Sequence, residues 1–359
     1  MRKLLRTIGK MKIRGTEQEQ KEFRVFKAKA RDAIMSLDAG VKKKLVALRS
    51  HHENTIRHNV MVAHDVRYIA ERLGLPQEEI ESLFIAALLH DIGKLDILPL
   101  ILDSSAQDQR YMLEIKRKNH PDDLRLFDPK ADRRDLITIR DILDFESRRK
   151  RFPRRLVAYF LKKKRIPLNM SLHDYIKVHQ ERTRMILQEL HMDPKIVEFA
   201  ASHHPEYFED EHVLDWRCYI ITIADKFNAI IQSEGIRRYT TRKTRILALD
   251  MIINTLKDAM ASSVLAKKQR QIVRVLGEKY IPVEIENFVI PLSEHLLAAI
   301  SREHNLAPKT LEEAEECIAN IEATIDVNSK VEYIVDQQTI QKLELLKAQI
   351  EREARIRAA

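Results

Sequence analysis

Several histidines and aspartates of this sequence lie where helical segments are apolar. His90 and Asp91 follow the uninterrupted apolar run 83–89, and Asp225 follows the apolar stretch 218–224. A carboxylate buried there without a partner would cost several kcal/mol of lost hydration. A bound metal ion is a sufficient partner. Each residue alone is better explained by backbone hydrogen bonds, so the argument for metal binding depends on the whole set.

Seven side chains share this setting, each near a helix end or on an inward helix face. They are His58, His90, Asp91, His179, His203, His204 and Asp225. Imidazoles and carboxylates without thiolates suit Mn²⁺, Fe or Zn²⁺. A bridging carboxylate can hold two such ions about 3.5–4 Å apart, an arrangement that serves phosphoester hydrolysis. Lys94, one turn beyond His90, can bring an ammonium group to a phosphate oxygen.

The segments that carry these residues have the periodicity of α-helices. Apolar residues recur at steps of three and four over 55–73 and from Ser171 to Leu190. The apolar run predicts a buried helix over 79–92 that Gly93 ends, and Gly74 predicts the C-terminal cap of the preceding helix. Further helices are predicted over 17–36, 194–203 and 215–232.

Composition favours an all-α protein. The 359 residues include 7 Gly and 11 Pro, with 44% hydrophobic and 33% charged residues, which disfavours turn-rich β folds and Gly/Pro-rich disorder. Two cysteines, Cys218 and Cys317, exclude a disulfide framework and a multi-cysteine metal site, as expected for the reducing cytoplasm. Because no apolar stretch approaches roughly 18 residues, we expect no membrane span.

Positive charge is concentrated in one segment. Residues 103–165 contain 19 Lys or Arg and 11 Asp or Glu, so they supply eight of the nine net positive charges. The densest part, 148–155, is either a solvated surface or a surface that steers an anionic substrate. Nucleic acid is disfavoured as the primary partner because no RNA- or DNA-binding module is recognised.

The order of the seven residues resembles the HD superfamily of metal-dependent phosphohydrolases, and within it the HD-GYP branch of cyclic di-GMP phosphodiesterases. The similarity covers about residues 52–240 without the basic segment. It consists of His58, the motif His90-Asp91-Ile92-Gly93-Lys94, then Lys177-Val178-His179, the pair His203-His204, and Asp225.

This resemblance implies an all-α HD-domain bundle with a basic insertion and a helical C-terminal extension. It implies a phosphodiesterase in which the seven residues hold two divalent ions, Asp91 bridges them, a hydroxide between them attacks phosphorus, and Lys94 polarises the phosphate. Manganese or iron is expected, with zinc, nickel and magnesium left open. The expected substrate is a small nucleotide, cyclic di-GMP first. Candidate substrate-binding residues are Lys164, Lys177, Arg237 and Arg238.

The sequence departs from the family pattern in ways that leave alternatives open. No GYP signature follows His203-His204, so cyclic di-AMP, mixed cyclic dinucleotides and other nucleotide phosphoesters remain candidates. Asn54 stands where some members carry a Glu that supports a third metal, which favours two metals. His120 lies 30 residues after His90 and competes with His179 as a ligand. A protein that senses nucleotides or binds a partner without turnover is the alternative function.

Four regions are expected along the chain. The C-terminal region has two short blocks of heptad-like apolar spacing, which favour docking on the body, a homodimer or a signalling partner. The regions are an N-terminal helical region over 1–50, the hydrolase core over 51–240 with its insertion at 103–163, a helical completion of the core over 241–305, and a helical tail over 306–359.

Overall fold

The computed structural model describes an α-helical bundle, which confirms the all-α prediction. Among the described residues, the one extended pairing is an isolated antiparallel bridge between Thr138 and Ser171. The described residues are 1–13, 17–102, 106–128, 133–148, 166–204, 215–231, 248–249, 251–252, 267–280 and 348. The basic stretch 149–165 and most of the predicted C-terminal extension lie outside them.

The helices follow the predicted order, with boundaries that differ by a few residues. They are α1 (Arg2–Lys10), α2 (Glu17–Ser36), α3 (Ala39–His51), α4 (Glu53–Arg72), α5 (Gln77–Leu89), α6 (Pro99–Leu102), α7 (Ala106–Asn119), α8 (Arg133–Leu136), α9 (Ile139–Arg148), α10 (Leu172–Glu189), α11 (Pro194–Ala201), α12 (Cys218–Ile231) and α13 (267–280). Two 3₁₀ segments cover Ile92–Asp96 and Leu124–Phe127.

Local sequence explains where the site-bearing helices begin and end. The Ser171 hydroxyl accepts a hydrogen bond from the Asp174 amide and caps α10. Asp193 caps α11 in the same way, with Pro194 at the first turn. Gly74 ends α4 at a φ of +68°, a left-handed conformation that glycine adopts without steric cost.

The main core is built around α4, which packs against α5 and α12, while α11 packs against α5 and α10. Its largest fully buried side chains include Phe23, Phe84, Phe199 and Phe227. The apolar run of α5 is buried almost throughout, because α4 and α11 cover it from two sides. The N-terminal helices α1 to α3 contribute to the same core.

A second apolar cluster joins the charge-rich segment to the start of α10. Ile97, Met112, Ile137 and Leu172 are among its buried members. The hydroxyl of Tyr175 donates to the Asp96 carbonyl and accepts from the Leu98 amide, both at 3.3 Å. Burial raises the Tyr175 pKa to about 12, so the phenol stays protonated. The described part of the insertion is therefore anchored beside residues 90–94, which are called the HD motif below.

A buried carboxylate, Asp65 of α4, connects three helices. It accepts hydrogen bonds from Asn228 of α12 at 2.7 Å, and from Lys279 and Tyr280 of α13 at 2.8 and 2.5 Å. Burial alone would raise the Asp65 pKa, but the Lys279 ammonium and His64 lower it well below its usual value. This network fastens α13 to the core helices that carry His58 and Asp225.

Within the part of the chain that the structure describes, no helix combines the length and apolarity needed to cross a bilayer.

Candidate metal centre

Five helices bring the seven predicted site residues into one cluster. Six of them are buried, and His204 is half-buried. His58 comes from the first turns of α4, His90 and Asp91 follow the end of α5, His179 lies in α10, the histidine pair follows α11, and Asp225 lies in α12. The cluster therefore lies where the ends and inward faces of the core helices converge.

One half of the cluster is formed by His58, His90 and Asp91, whose ligand-type atoms all lie within 4.8 Å of one another. Asp225 adjoins this group. Its Oδ1 lies 2.6 Å from His58 Nε2 and 3.5 Å from His90 Nε2. Two imidazoles and two carboxylates thus lie together in this half of the cluster.

The other half is formed by His179, His203 and His204, which meet the same 4.8 Å limit. Asp91 faces both halves. Its Oδ1 lies 3.4 Å from His179 Nε2 and 4.0 Å from His203 Nε2, while its Oδ2 lies 3.5 Å from His90 Nε2. The Asp91 carboxylate is therefore placed between two groups that can each hold one cation.

Three of the histidines are oriented in the same way. In each, Nδ1 lies 2.5–2.7 Å from the backbone carbonyl three residues earlier. A carbonyl only accepts, so Nδ1 carries the proton and Nε2 presents its lone pair to the cluster when the ring is neutral. The three rings and their carbonyl partners are His90 with Ala87, His179 with Ile176, and His203 with Ala200.

The protonation states favour cation binding. Burial lowers the pKa of His179 to about 3 and, together with the neighbouring His204, lowers that of His203 well below its usual value. Burial would raise the pKa of Asp91 and Asp225, but nearby positive and imidazole groups outweigh it, so both carboxyls have strongly lowered pKa values. Neutral imidazoles and ionised carboxylates are the forms that bind metals.

His90 differs from His179 and His203 because its pKa is raised, and its surroundings indicate where a cation would bind. Burial would lower its pKa, but Asp91 and Asp225 outweigh burial and raise it. Its Nε2 is buried without a hydrogen-bond partner, although a carboxylate oxygen lies 3.5 Å away on each side. A divalent ion at this point would satisfy the imidazole and both carboxylates, so the residues present fit a metal.

Lys94 lies beside the bridging carboxylate. Its Nζ is 2.5 Å from Asp91 Oδ2, and the side chain is partly exposed. The 3₁₀ segment Ile92–Asp96 places it there, because the Lys94 amide donates to the Asp91 carbonyl at 3.0 Å. The ammonium group therefore lies at the boundary between the candidate metal positions and solvent.

Gly93 has a different role from the predicted helix end, and that prediction was wrong. Helix α5 ends at Leu89, and Gly93 lies inside the 3₁₀ segment. A Cβ atom at this position would lie 1.9 Å from the His179 carbonyl oxygen and 2.6 Å from the Thr183 amide nitrogen. Glycine is required because the backbone of α10 passes directly against the HD motif.

The other candidate residues lie apart from the cluster or outside the described residues. His120 is exposed just beyond α7, so the structure brings His179 into the cluster and leaves His120 out. Asn54 is exposed, and Glu53 pairs with Arg49 and Arg57. Lys177 is half-buried on α10, two residues before His179. Lys164, Arg237 and Arg238 lie outside the described residues.

The sequence did not single out Thr183. This fully buried residue lies one turn after His179 and hydrogen-bonds to the HD motif. It lies on the apolar face of α10 between His179 and Ile186, but a threonine in such a position carries no signal of its partner. Contacts across 90 residues of sequence are decided by packing.

Comparison with known protein families gives a match that includes part of this site. Residues 55–123 match the family model of the HD domain. None of the curated proteins matches the chain significantly.

Two solved structures of the L. monocytogenes phosphodiesterase PgpH HD domain are similar to the chain, each at 16% identity and a TM-score of 0.36. The first covers 66% of this chain and 96% of the PgpH chain. The second, a complex with cyclic-di-AMP, covers 68% of this chain and 99% of the PgpH chain. The family-model match spans His58, His90 and Asp91, so this part of the chain is similar to the HD domain at three of the candidate metal ligands.

Proposed function

We propose that the protein is a metal-dependent phosphodiesterase whose substrate is a small nucleotide, with a cyclic dinucleotide as the substrate class and cyclic di-GMP as the first candidate. The observation that carries this proposal is the buried Asp91 carboxylate between two groups of histidines. Two ions held on either side of this carboxylate would stabilise the attacking and leaving oxygens of a phosphoester bond during cleavage. Nucleotide phosphodiesters fit because they bring negative charge to a site that presents cations.

The residues divide between two metal positions. His58, His90 and Asp225 would hold one ion, and His179, His203 and His204 the other, with Asp91 shared. Manganese or iron suits this set of imidazoles and carboxylates without thiolates. The bound ions would supply a nucleophilic water at neutral pH and neutralise charge on the phosphate. This division of the ligands follows the HD-GYP type of site, which the order of the seven residues resembles.

The chain itself supplies orientation and charge. The backbone carbonyls behind His90, His179 and His203 keep each ring turned with Nε2 toward the cluster. The surrounding apolar helices exclude bulk water, which strengthens every electrostatic interaction inside. Lys94 provides a positive charge at the exposed side of Asp91, where a non-bridging phosphate oxygen would approach.

A panel of nucleotides tests the proposal directly. Protein loaded with Mn²⁺ or Fe is incubated with cyclic di-GMP, cyclic di-AMP, a mixed cyclic dinucleotide, (p)ppGpp and mononucleotide esters, and the products are separated by chromatography. We expect metal-dependent cleavage of a cyclic dinucleotide to a linear product. Tight binding of a nucleotide by the metal-loaded protein without turnover would favour the sensing function instead.

Lys94→Ala is expected to reduce turnover by about 10²- to 10³-fold with metal content unchanged, because it removes a charge that faces the phosphate but no metal ligand. The measurements are steady-state kinetics and elemental analysis of the same preparation. Lys43→Ala, which changes an exposed lysine of α3, is the matched control. Equal activity in the Lys94 variant would mean that this ammonium group only stabilises Asp91.

The surrounding regions have proposed roles in the same reaction. The basic insertion 103–163 would steer a polyanionic nucleotide toward the site, with Lys164, Lys177, Arg237 and Arg238 contacting its phosphates. The helical regions 241–305 and 306–359 would complete the core and bind a second copy or a signalling partner. Most of these residues lie outside the part of the chain that the structure describes.

A further inference from the structure

We propose that Thr183 is a positioning residue that holds the two halves of the metal centre at their working separation. One half depends on the chain after α5, which carries His90 and Asp91. The other depends on α10, which carries His179. Thr183 lies where these two segments meet, and the inference rests on the metal-binding function proposed above.

The hydroxyl of Thr183 makes two hydrogen bonds to the HD motif. It accepts from the Gly93 amide at 3.0 Å and donates to the His90 carbonyl at 2.8 Å. The side chain is fully buried, so water does not compete for either bond. A hydroxyl that donates and accepts at once has a defined rotamer, which makes the contact directional as well as attractive.

The backbone contact beneath this hydroxyl is unusually close. A Cβ on Gly93 would overlap the His179 carbonyl oxygen, so the HD motif and α10 touch along their main chains. Close approach alone limits how near the two segments come, but it leaves them able to slide along each other. The two hydrogen bonds of Thr183 oppose that sliding because they engage both the residue before Asp91 and the residue two positions after it.

This connection affects the position of Asp91, the carboxylate that faces both halves of the centre. Asp91 lies between His90 and Gly93 in sequence, and its Oδ1 lies 3.4 Å from His179 Nε2. His179 is one helical turn before Thr183, on the same face of α10. Movement of α10 relative to the HD motif would therefore change the distance between Asp91 and the second group of histidines.

Thr183→Val removes the hydroxyl and keeps the shape of the side chain, whereas Thr183→Ser keeps the hydroxyl. We expect Thr183→Val to weaken Mn²⁺ binding by about 10- to 100-fold, as for partners that orient metal ligands. Thr183→Ser should retain affinity near that of the parent. The matched control is Thr222→Val, which removes a buried hydroxyl that binds within its own helix, to the Cys218 carbonyl at 3.1 Å.

Two measurements on the full-length protein test the inference. Calorimetry gives the Mn²⁺ dissociation constants, and hydrogen exchange followed by mass spectrometry, without added metal, reports the Gly93 amide through peptides that cover it. Faster exchange at this amide and weaker Mn²⁺ binding in Thr183→Val, both restored in Thr183→Ser, would support positioning.

Different failures have different meanings. Faster exchange in Thr183→Val with unchanged Mn²⁺ affinity would overturn the inference, because the hydroxyl would then stabilise the fold alone. Equal weakening in Thr222→Val would overturn it as well, since any buried hydroxyl would have the same effect. A parent protein that binds no metal would overturn the proposed function and the inference together.

Discussion

Asp91→Ala is expected to remove most of the bound metal and reduce hydrolysis to background. The parent should hold about two transition-metal ions per chain, and Asp91 is the residue that faces both histidine groups. Without it, each group loses its shared negative ligand, and two cations held close together repel each other with no carboxylate between them. Elemental analysis of purified protein measures the loss, and circular dichroism checks that the helices remain.

A second variant separates charge from shape at this position. Asp91→Asn keeps the volume and one acceptor oxygen but removes the negative charge, so it should also lose metal. Asp32→Ala, at an exposed position of α2, controls for general effects of removing an aspartate and should bind metal like the parent. A parent enzyme that is active when free of metal would contradict the two-metal arrangement.

Asp65→Ala is expected to reduce the free energy of unfolding by about 3–5 kcal/mol, because it leaves Lys279 without its buried partner. The amide of Asn228 and the hydroxyl of Tyr280 also lose an acceptor. The change is measured by urea unfolding of variant and parent. An effect no larger than that of Asp32→Ala would show that the network is replaceable by water.

The pH dependence of this effect has a definite sign. The Asp65 pKa is lower in the folded protein than in the unfolded chain. Its contribution is therefore complete above the ordinary carboxyl pKa of about 3.9 and is lost as the pH falls through the folded-state value. The stability difference between parent and Asp65→Ala should be constant near neutrality and shrink in acid.

Much of the architecture could be predicted because it depends on local patterns. The period of apolar residues placed α2, α4 and α10 to within a few residues, and Gly74 marked a helix end and Pro194 a helix start by conformational preferences that act within one turn. The same patterns pointed to His90, Asp91 and Asp225, because a polar residue at the end of an apolar run needs a buried partner. All seven candidate residues could therefore be named from the sequence.

Tertiary structure decided which residues meet. The choice between His120 and His179 depends on how α10 packs, since both fit a plausible sequence spacing, and the structure places His179 in the cluster. His64-Asp65 repeats the dipeptide His90-Asp91 of the candidate metal centre, but Asp65 accepts hydrogen bonds from Asn228 and α13 and stabilises the core.

Gly93 and Thr183 show the physical reason most clearly. Their contact joins positions 90 residues apart, and nothing in the sequence around either residue indicates the other as its partner. The backbone conformation that a residue prefers depends on neighbours within one helical turn. The approach of α10 to the HD motif results instead from the packing of the core around α4 and α5. The sequence alone determined which side chains can bind metal, and the packing of the helices determined how far apart they are held.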